Sequence, residues 1–197
     1  MVDKEKSRGR GRPRAFDRDE ALQKAQSLFH AHGYEGVGVA ALADAMGINP
    51  PSLYAAFGSK AALYEEVLAR YDCAAAPMRD LLAPGGDPGE ALSTLLREAA
   101  AIYAADPQAP GCLVLEGARG VDQDASCRAR AVLDLSCTRM RDFVAMTHPD
   151  KAQVVSDYMA AIMSGMSADA RAGKPAAQIL AVADMAGLAI RAMLGER

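Results

Sequence analysis

Ser52, Tyr54 and Ala55 follow a pair of prolines in one short segment, and their side chains suit contact with a polymer surface. A hydroxyl, a phenol and a methyl group can together donate a hydrogen bond, accept one and make an apolar contact. The pattern predicts that all three stand on the first turn and a half of a short helix. That is the part of a recognition helix that enters the major groove of DNA.

Asn49, Pro50 and Pro51 predict the start of this helix. A proline restricts the residue before it to extended backbone, so Asn49 cannot continue a preceding helix and suits the N-cap position. Pro50 and Pro51 then fall in the first turn, where a missing N–H costs nothing because it would have no partner within the helix. The prolines therefore act as a start signal that leaves a compact, rigid helix end.

The segment 39–57, VAALADAMGINPPSLYAAF, predicts a helix-turn-helix. Gly47 falls in the turn, where a positive φ is tolerated best without a Cβ. Ala43 and Ala56 are small where two helices would cross. Four larger apolar residues would supply the core that the two helices share: Leu42, Met46, Ile48 and Leu53.

The composition predicts an all-α protein that is long enough, at 197 residues, for one or two domains. Aromatic residues make up only 5% and Trp is absent. Strand-forming residues are sparse, and no segment of six or more residues alternates apolar and polar residues. An enzyme is disfavoured, because the only neutral-pH bases are His30, His32 and His148 and because neither a phosphate loop nor a nucleophile elbow is present.

The net charge of −3 hides an asymmetry along the chain. Residues 1–71 hold 10 Lys and Arg against 9 Asp and Glu, whereas the remaining residues hold 12 against 16. The segment 1–14, MVDKEKSRGRGRPR, has a net charge of +4 and almost no apolar residue, so it is predicted to be disordered when free. It is interpreted either as a solvated tail or as an arm that follows DNA phosphates or enters a minor groove.

The four cysteines predict neither a metal site nor a disulfide framework. Cys73, Cys112, Cys127 and Cys137 form no CxxC pair, and no cofactor is expected. No signal peptide is recognised and no apolar run approaches the roughly 20 residues of a membrane span, so a cytoplasmic protein with reduced thiols and no membrane contact is expected. A thiol-responsive switch stays open as an alternative; Cys127 and Cys137 lie about 15 Å apart along one predicted helix, too far to bridge each other.

Periodicity and turn residues predict the remaining helices. The first helix starts at the N-cap Asp17, with Phe16 placed to staple onto it, and ends at Gly33. The fourth runs from Lys60 to about Tyr71. Further helices are predicted at about 90–105, 112–118, 125–146, 152–172 and 175–194.

The last two predicted helices carry more apolar surface than one core-facing stripe requires. A helix pair with a surplus apolar face is suited to pack against its symmetry mate as a four-helix bundle, which predicts a homodimer. The alternative is that the surplus packs on preceding helices of the same chain.

The segment from Gly11 to Leu68 resembles the DNA-binding domain of the tetracycline-repressor (TetR/AcrR) family of transcriptional regulators. Its most specific parts are FDRDEAL followed by LF, the block LADAMGI, and SLYAAFGSK. The resemblance implies a homodimer on a palindromic operator with a small-molecule pocket inside the C-terminal helices. The implied division is a basic arm at 1–14, an N-terminal helix-turn-helix domain at 15–59 and a C-terminal effector-binding and dimerisation domain at 60–197.

The resemblance also implies roles for individual residues. Pro50, Pro51, Ser52 and Ala55 would face bases, while Tyr54 and Lys60 would hold phosphates. The family pattern is not met at Val37, Gly38 and Ala40, where Thr or Ser and a basic residue are common, so more of the attraction should fall on the arm and Lys60. The full predicted DNA interface is Arg8, Arg10, Arg12, Arg14, Gly38, Pro50, Pro51, Ser52, Tyr54, Ala55 and Lys60.

The residues of the implied pocket are inferred from side-chain type. Aromatic, Met and Cys side chains suit an adaptable apolar pocket, although ordinary core packing explains each of them equally simply. The candidates are Tyr103, Cys112, Leu115, Met140, Phe143 and Met163. The function that follows is a ligand-released repressor; a helix-turn-helix that contacts only proteins is the remaining alternative.

Overall fold

The computed structural model describes residues 16–195, which form ten helices and no strand within that range. The all-α prediction is therefore confirmed. The helices are α1 (Arg18–His32), α2 (Val39–Met46), α3 (Pro50–Phe57), α4 (Lys60–Ala74), α5 (Ala76–Asp80), α6 (Pro88–Ala105), α7 (Leu113–Gly117), α8 (Gln123–Ala145), α9 (Ala152–Arg171) and α10 (Ala176–Leu194).

Helix α1 begins at the predicted N-cap. The Asp17 carboxylate accepts hydrogen bonds from the backbone N–H groups of Asp19 and Glu20, and Gly33 ends the helix with φ of 72°. Phe16 differs from its predicted role. Its ring meets Phe57 of α3 edge-on at 6.1 Å between centroids. Phe16 therefore connects the start of α1 to α3.

An aromatic cluster fixes α4 against α1. The Phe29 ring packs edge-on to Tyr64 of α4 at 5.0 Å, and Tyr34 lies against both rings. Phe29 and Tyr64 have no exposed surface. Burying rings of this size contributes several kcal/mol, so α4 is held firmly to the first three helices.

Two segments differ from the predicted boundaries. Helix α4 continues to Ala74 and is followed by the short helix α5, which sequence periodicity did not predict. Helix α6 starts at Pro88 instead of Glu90, because the Asp87 carboxylate accepts from the Glu90 N–H and Pro88 occupies the first turn. The predicted short buried helix is present as α7.

Helices α6 and α10 pack closely because small residues line their contact. Gly187 lies so near Ser93 that a Cβ there would be 2.8 Å from the Ser93 hydroxyl oxygen. Ala183 and Ala186 are buried beside it. The inner face of α10 is thus covered by α6 of the same chain. Packing on a preceding helix was one of the two alternatives for the apolar surface of the last helices.

The outer face of α10 stays exposed, with Leu180, Val182, Met185 and Leu188 each at least 40% accessible. Because both faces of α10 are apolar, the expectation that no apolar run is long enough for a membrane span is wrong for this helix. Helix α10 reaches that length and a mean hydropathy of 1.5. Because a packed helix with two apolar faces passes the same test, length and composition alone do not indicate a membrane segment.

Candidate nucleic-acid interface and internal cavity

The turn between α2 and α3 fixes the angle of the two helices. Gly47 has φ of 71° and ψ of 30°, the left-handed conformation that disfavours a Cβ, and its N–H donates to carbonyl oxygens of the last turn of α2. Leu42 and Leu53 meet beneath the turn with no exposed surface. The helix-turn-helix therefore has the predicted local structure.

The N-terminal end of α3 is capped as predicted and open to solvent. The Asn49 Oδ1 accepts from the Ser52 N–H at 2.9 Å, which satisfies the first free donor after the two prolines. One side of the helix is buried through Leu53 and Phe57. The side chains that remain exposed are those of Asn49, Pro50, Pro51, Ser52, Tyr54 and Ala55.

This arrangement can read an irregular polar surface at low entropic cost. The Ser52 hydroxyl, the Tyr54 phenol (48% exposed) and the Ala55 methyl group project from backbone that is already fixed by the cap and the turn. The fixed backbone does not have to be ordered on binding. Such an end has the length and width that the major groove of DNA admits.

Lys60 differs from a freely solvated lysine. Its ammonium lies over the Tyr34 ring at 4.0 Å from the centroid. Partial burial lowers the pKa of Lys60, and the nearby carboxylates of Asp122 and Glu35 oppose that shift. A phosphate at this position would therefore share the ammonium with an aromatic face.

Arg18, which the sequence did not single out, connects three helices. Its guanidinium binds the Glu66 carboxylate of α4 at 2.6 Å, donates to the Ala56 carbonyl oxygen of α3 at 2.7 Å and lies 4.4 Å over the Phe57 ring. Asp19 forms a second ion pair with Arg70 of α4. These contacts fix α3 relative to α1 and α4.

The remaining predicted interface residues are Gly38 and the four arginines of the arm. Gly38 is the N-cap of α2, is exposed and makes no side-chain cap. The arm residues Arg8, Arg10, Arg12 and Arg14 lie outside the described residues.

A partly open cavity of about 270 Å³ lies between helices α4 to α9. Five of the six predicted pocket residues line it: Tyr103, Cys112, Leu115, Met140 and Met163. Phe143 does not; its side chain is buried, and its ring lies on the side of Gly86, at the loop before α6. Phe143 lies three residues beyond Met140 and therefore on the same face of α8, but one turn further along the helix, past the last α8 residue that lines the cavity.

One wall of the cavity carries Tyr71, Tyr103 and Cys112. Burial raises the pKa of both tyrosine hydroxyls well above the usual value, and the neighbouring Cys112 thiol acts in the same direction. Both phenols are therefore neutral at physiological pH. This wall offers polar hydrogens without adding charge.

One end of the cavity is charged. The Arg79 guanidinium lies 3.1 Å from an Asp72 carboxylate oxygen and also donates to the Asp72 backbone carbonyl. Arg139 approaches the other carboxylate oxygen only to 3.6 Å. All three residues line the cavity, which is otherwise mostly apolar.

The sequence did not identify these charged residues because no local pattern marks them. Asp72, Arg79 and Arg139 come from α4, α5 and α8 and meet only in the folded chain. Among residues 16–195, no group of three or more His, Cys, Asp or Glu side chains is placed to hold a metal ion.

The cysteines are dispersed over the described part of the chain and all are free. Cys73 and Cys127 are exposed, Cys137 is half-buried and Cys112 is buried. Burial raises the pKa of the Cys137 thiol, which disfavours the reactive thiolate.

A helix-turn-helix with an open, rigid α3 terminus, firmly attached to helices that enclose an apolar cavity, defines a DNA-binding transcriptional regulator. The family model described as "Bacterial regulatory proteins, tetR family" matches residues 21–67. The HTH-type transcriptional repressor BdcR of Escherichia coli (strain K12) is 45% identical over 197 residues, with 100% of both chains covered. The chain belongs to the TetR family, as the resemblance indicated.

Further relatives agree with this assignment. The HTH-type transcriptional repressor ComR of the same organism is 29% identical over 189 residues, 89% of this chain and 90% of its own. A cysteine mutant of the TetR family regulator CifR, in complex with 26-bp operator DNA, superposes with a TM-score of 0.81 at 36% identity, covering 91% of this chain and 99% of that one. BdcR and ComR are repressors, and CifR is a regulator seen on its operator DNA; together they support a repressor function here and do not favour the thiol-responsive alternative.

Proposed function

We propose that the protein represses transcription as a homodimer on a palindromic operator and that a small molecule in the cavity releases it. The exposed, capped N-terminal turn of α3 is the observation that carries the proposal. Pro50, Pro51, Ser52 and Ala55 of α3 face bases, while Tyr54 of α3 and Lys60, the first residue of α4, contact phosphates. The exposed N-terminus of α2, at Gly38, approaches the sugar-phosphate backbone of the DNA. The arm supplies further phosphate contacts through Arg8, Arg10, Arg12 and Arg14.

The outer face of α10 supports the dimer. Met185 is 66% exposed and Leu188 is 54% exposed, although both lie in the middle of a 19-residue helix. Helix α9 exposes small residues, Ala161, Gly165 and Ala168, at helical spacing. A second copy can cover this surface with its own α9 and α10, giving the isologous contact of a twofold dimer.

The cavity supports a small-molecule effector. It is lined by helices that include α4; the aromatic cluster holds α4 to α1, and Arg18 of α1 binds both Glu66 of α4 and the Ala56 carbonyl oxygen of the reading helix. A ligand that prefers a different position of α4 therefore changes the spacing of the two reading helices. By thermodynamic linkage, operator binding would weaken by the difference in the ligand's binding free energy between the two conformations, typically ~1–3 kcal/mol.

The proposed organisation is a basic arm at 1–14, a DNA-binding domain at 15–59 and an effector-binding and dimerisation domain at 60–197. A cytoplasmic location follows from the function, since the operator is in the cytoplasm of bacteria.

The experiment begins with selection of bound sequences from random duplexes, which identifies the operator directly. Fluorescence anisotropy then compares the wild type with Ala55→Glu, which places a carboxylate at the base-reading surface. Electrostatic repulsion and a bulky side chain should reduce operator affinity at least ~100-fold.

Ala131→Glu is the matched control, because Ala131 is an exposed alanine on α8, outside the reading helices. It should retain wild-type affinity. If both variants bind the operator equally well, α3 does not read DNA; if selection returns no preferred sequence, the repressor function itself is wrong.

A further inference from the structure

We propose that the effector is a small apolar molecule with one anionic group, and that this group binds Arg139 in place of Asp72. The inference rests on the proposed function, in which the cavity holds the effector. It names the chemistry of that molecule and the first contact that it changes.

The charges that line the cavity do not balance. Two guanidiniums, those of Arg79 and Arg139, share one carboxylate, that of Asp72. No other lining residue is an Asp, Glu, Lys, Arg or His, and burial raises the pKa of Tyr71, Tyr103 and Cys137, which keeps these groups neutral. The cavity therefore has a surplus positive charge at one end, which an anion neutralises.

The surplus is localised on Arg139. Its Nη1 atom is buried, and the described part of the chain offers it no hydrogen-bond acceptor. The nearest Asp72 oxygen is 3.6 Å away, beyond hydrogen-bond distance. Arg79, in contrast, has both an Asp72 carboxylate oxygen and the Asp72 carbonyl oxygen as acceptors. A buried donor without a partner destabilises the protein until an acceptor reaches it.

A carboxylate suits this donor better than a neutral or cationic group. A carboxylate and a guanidinium form a charge-assisted hydrogen bond that is about twice as strong as a neutral one. An amide oxygen can reach the same atom but leaves the charge unbalanced. A cation would be repelled by two guanidiniums, and the single carboxylate that could attract it is already shared.

The rest of the cavity selects an apolar body of modest size. Most of the other lining residues carry aliphatic or thioether side chains, including Met78, Leu82, Leu95, Met140 and Met163. Methionine side chains adapt to several ligand shapes. The volume of about 270 Å³ lies at the small end of ligand pockets, so a single ring or a medium-length chain fits better than a fused-ring compound.

The position of Asp72 links the anion to the reading helix. Asp72 lies near the end of α4, and Arg139 lies on α8. Helices α4 and α8 are also joined by an ion pair between Glu65 and Arg128, about two turns before Asp72 on α4. An anion at Arg139 weakens only the connection at Asp72, which leaves the end of α4 free to move around the pair at Glu65.

The test measures binding of matched probes to the full chain by calorimetry at neutral pH. Two sets are used, each an acid, its amide and the corresponding amine: octanoate, octanamide and octylamine, and 3-phenylpropanoate, 3-phenylpropanamide and 3-phenylpropylamine. In at least one set the acid should bind about tenfold or more tightly than the amide, and neither amine should bind more tightly than its amide.

The preference for acid over amide should disappear in Arg139→Gln and persist in part in Arg139→Lys, which keeps a positive charge. Arg141→Gln is the matched control, since Arg141 is on the same helix and pairs with its neighbour Asp142; it should keep the full preference. Thermal melts confirm that each variant is folded. Equal binding of acid and amide, no binding of either acid, or an acid preference that survives in Arg139→Gln would overturn the proposal.

Operator binding is measured separately, so that two failures can be told apart. If the selected operator binds and is released equally by amide and acid, the anionic effector is wrong and the repressor function stands. If no operator is selected, the repressor function is wrong, while calorimetry still decides whether the cavity prefers an anion.

Discussion

Replacing Leu188 by Ala tests the proposed dimer with a magnitude that the structure supplies. Leu188 is 54% exposed in the single chain, so about half of its side chain is left for a partner to cover. Fully burying a leucine contributes ~1.5–3 kcal/mol, so covering the remaining half contributes about 1 kcal/mol. A twofold interface contains the residue twice, which raises the loss to about 2 kcal/mol per dimer. The dimer dissociation constant should therefore rise roughly 30-fold.

Sedimentation velocity over a concentration series measures this constant directly. Leu135→Ala is the control, because Leu135 is a leucine of similar exposure (49%) on α8, outside the proposed interface. It should dissociate like the wild type. A Leu188→Ala protein that dimerises as tightly as the control would place the dimer contact elsewhere and refute the role of the outer face of α10.

Three further measurements test the capped reading helix, the basic arm and a buried histidine. Asn49→Ala removes the acceptor of the Ser52 N–H and should lower the free energy of unfolding by about 1 kcal/mol in urea; no change would mean that the cap is not needed. Deleting residues 1–14 should weaken operator binding and flatten its log–log salt dependence by about 0.9 for each lost phosphate contact, and an unchanged slope would remove the arm from the interface. Burial lowers the pKa of His30 below its usual 6.5, so the folded state binds fewer protons than the unfolded state as the pH falls through 6.5. The free energy of unfolding should therefore drop over that pH range. The drop should occur in the wild type and in His32→Asn but not in His30→Asn.

The helix-turn-helix could be predicted from sequence because its determinants are local. Gly47 supplies the left-handed turn, and Asn49 caps a helix whose first two residues are prolines. Each of these effects acts within about four residues, so the order of residues along the chain contains the whole argument. The boundaries of α2 and α3 accordingly match the prediction.

The cavity could be predicted only in part. Residue type indicated Met140 and Met163, but type alone also selected Phe143, whose ring lies outside the cavity wall. The charged end escaped prediction altogether. Arg79 and Arg139 are far apart in the sequence, and only the packing of α5 and α8 against α4 brings both to Asp72.

The way α4 is held explains how one helix can serve both sites. At its start and middle it is fixed to α1 by the buried Tyr64 and by ion pairs from Glu66 and Arg70, and Arg18 of α1 also donates to the Ala56 carbonyl oxygen of α3, so these parts move as one body. At its end, Tyr71 and Asp72 line the cavity, and Asp72 meets Arg139 only through a long, partly exposed ion pair. Because the Asp72–Arg139 contact, at 3.6 Å, is too long for a hydrogen bond, a ligand needs only a modest preference to shift this end. The firm end of α4 then carries that shift to α3, where a small rotation is enough to misplace a side chain against a base edge.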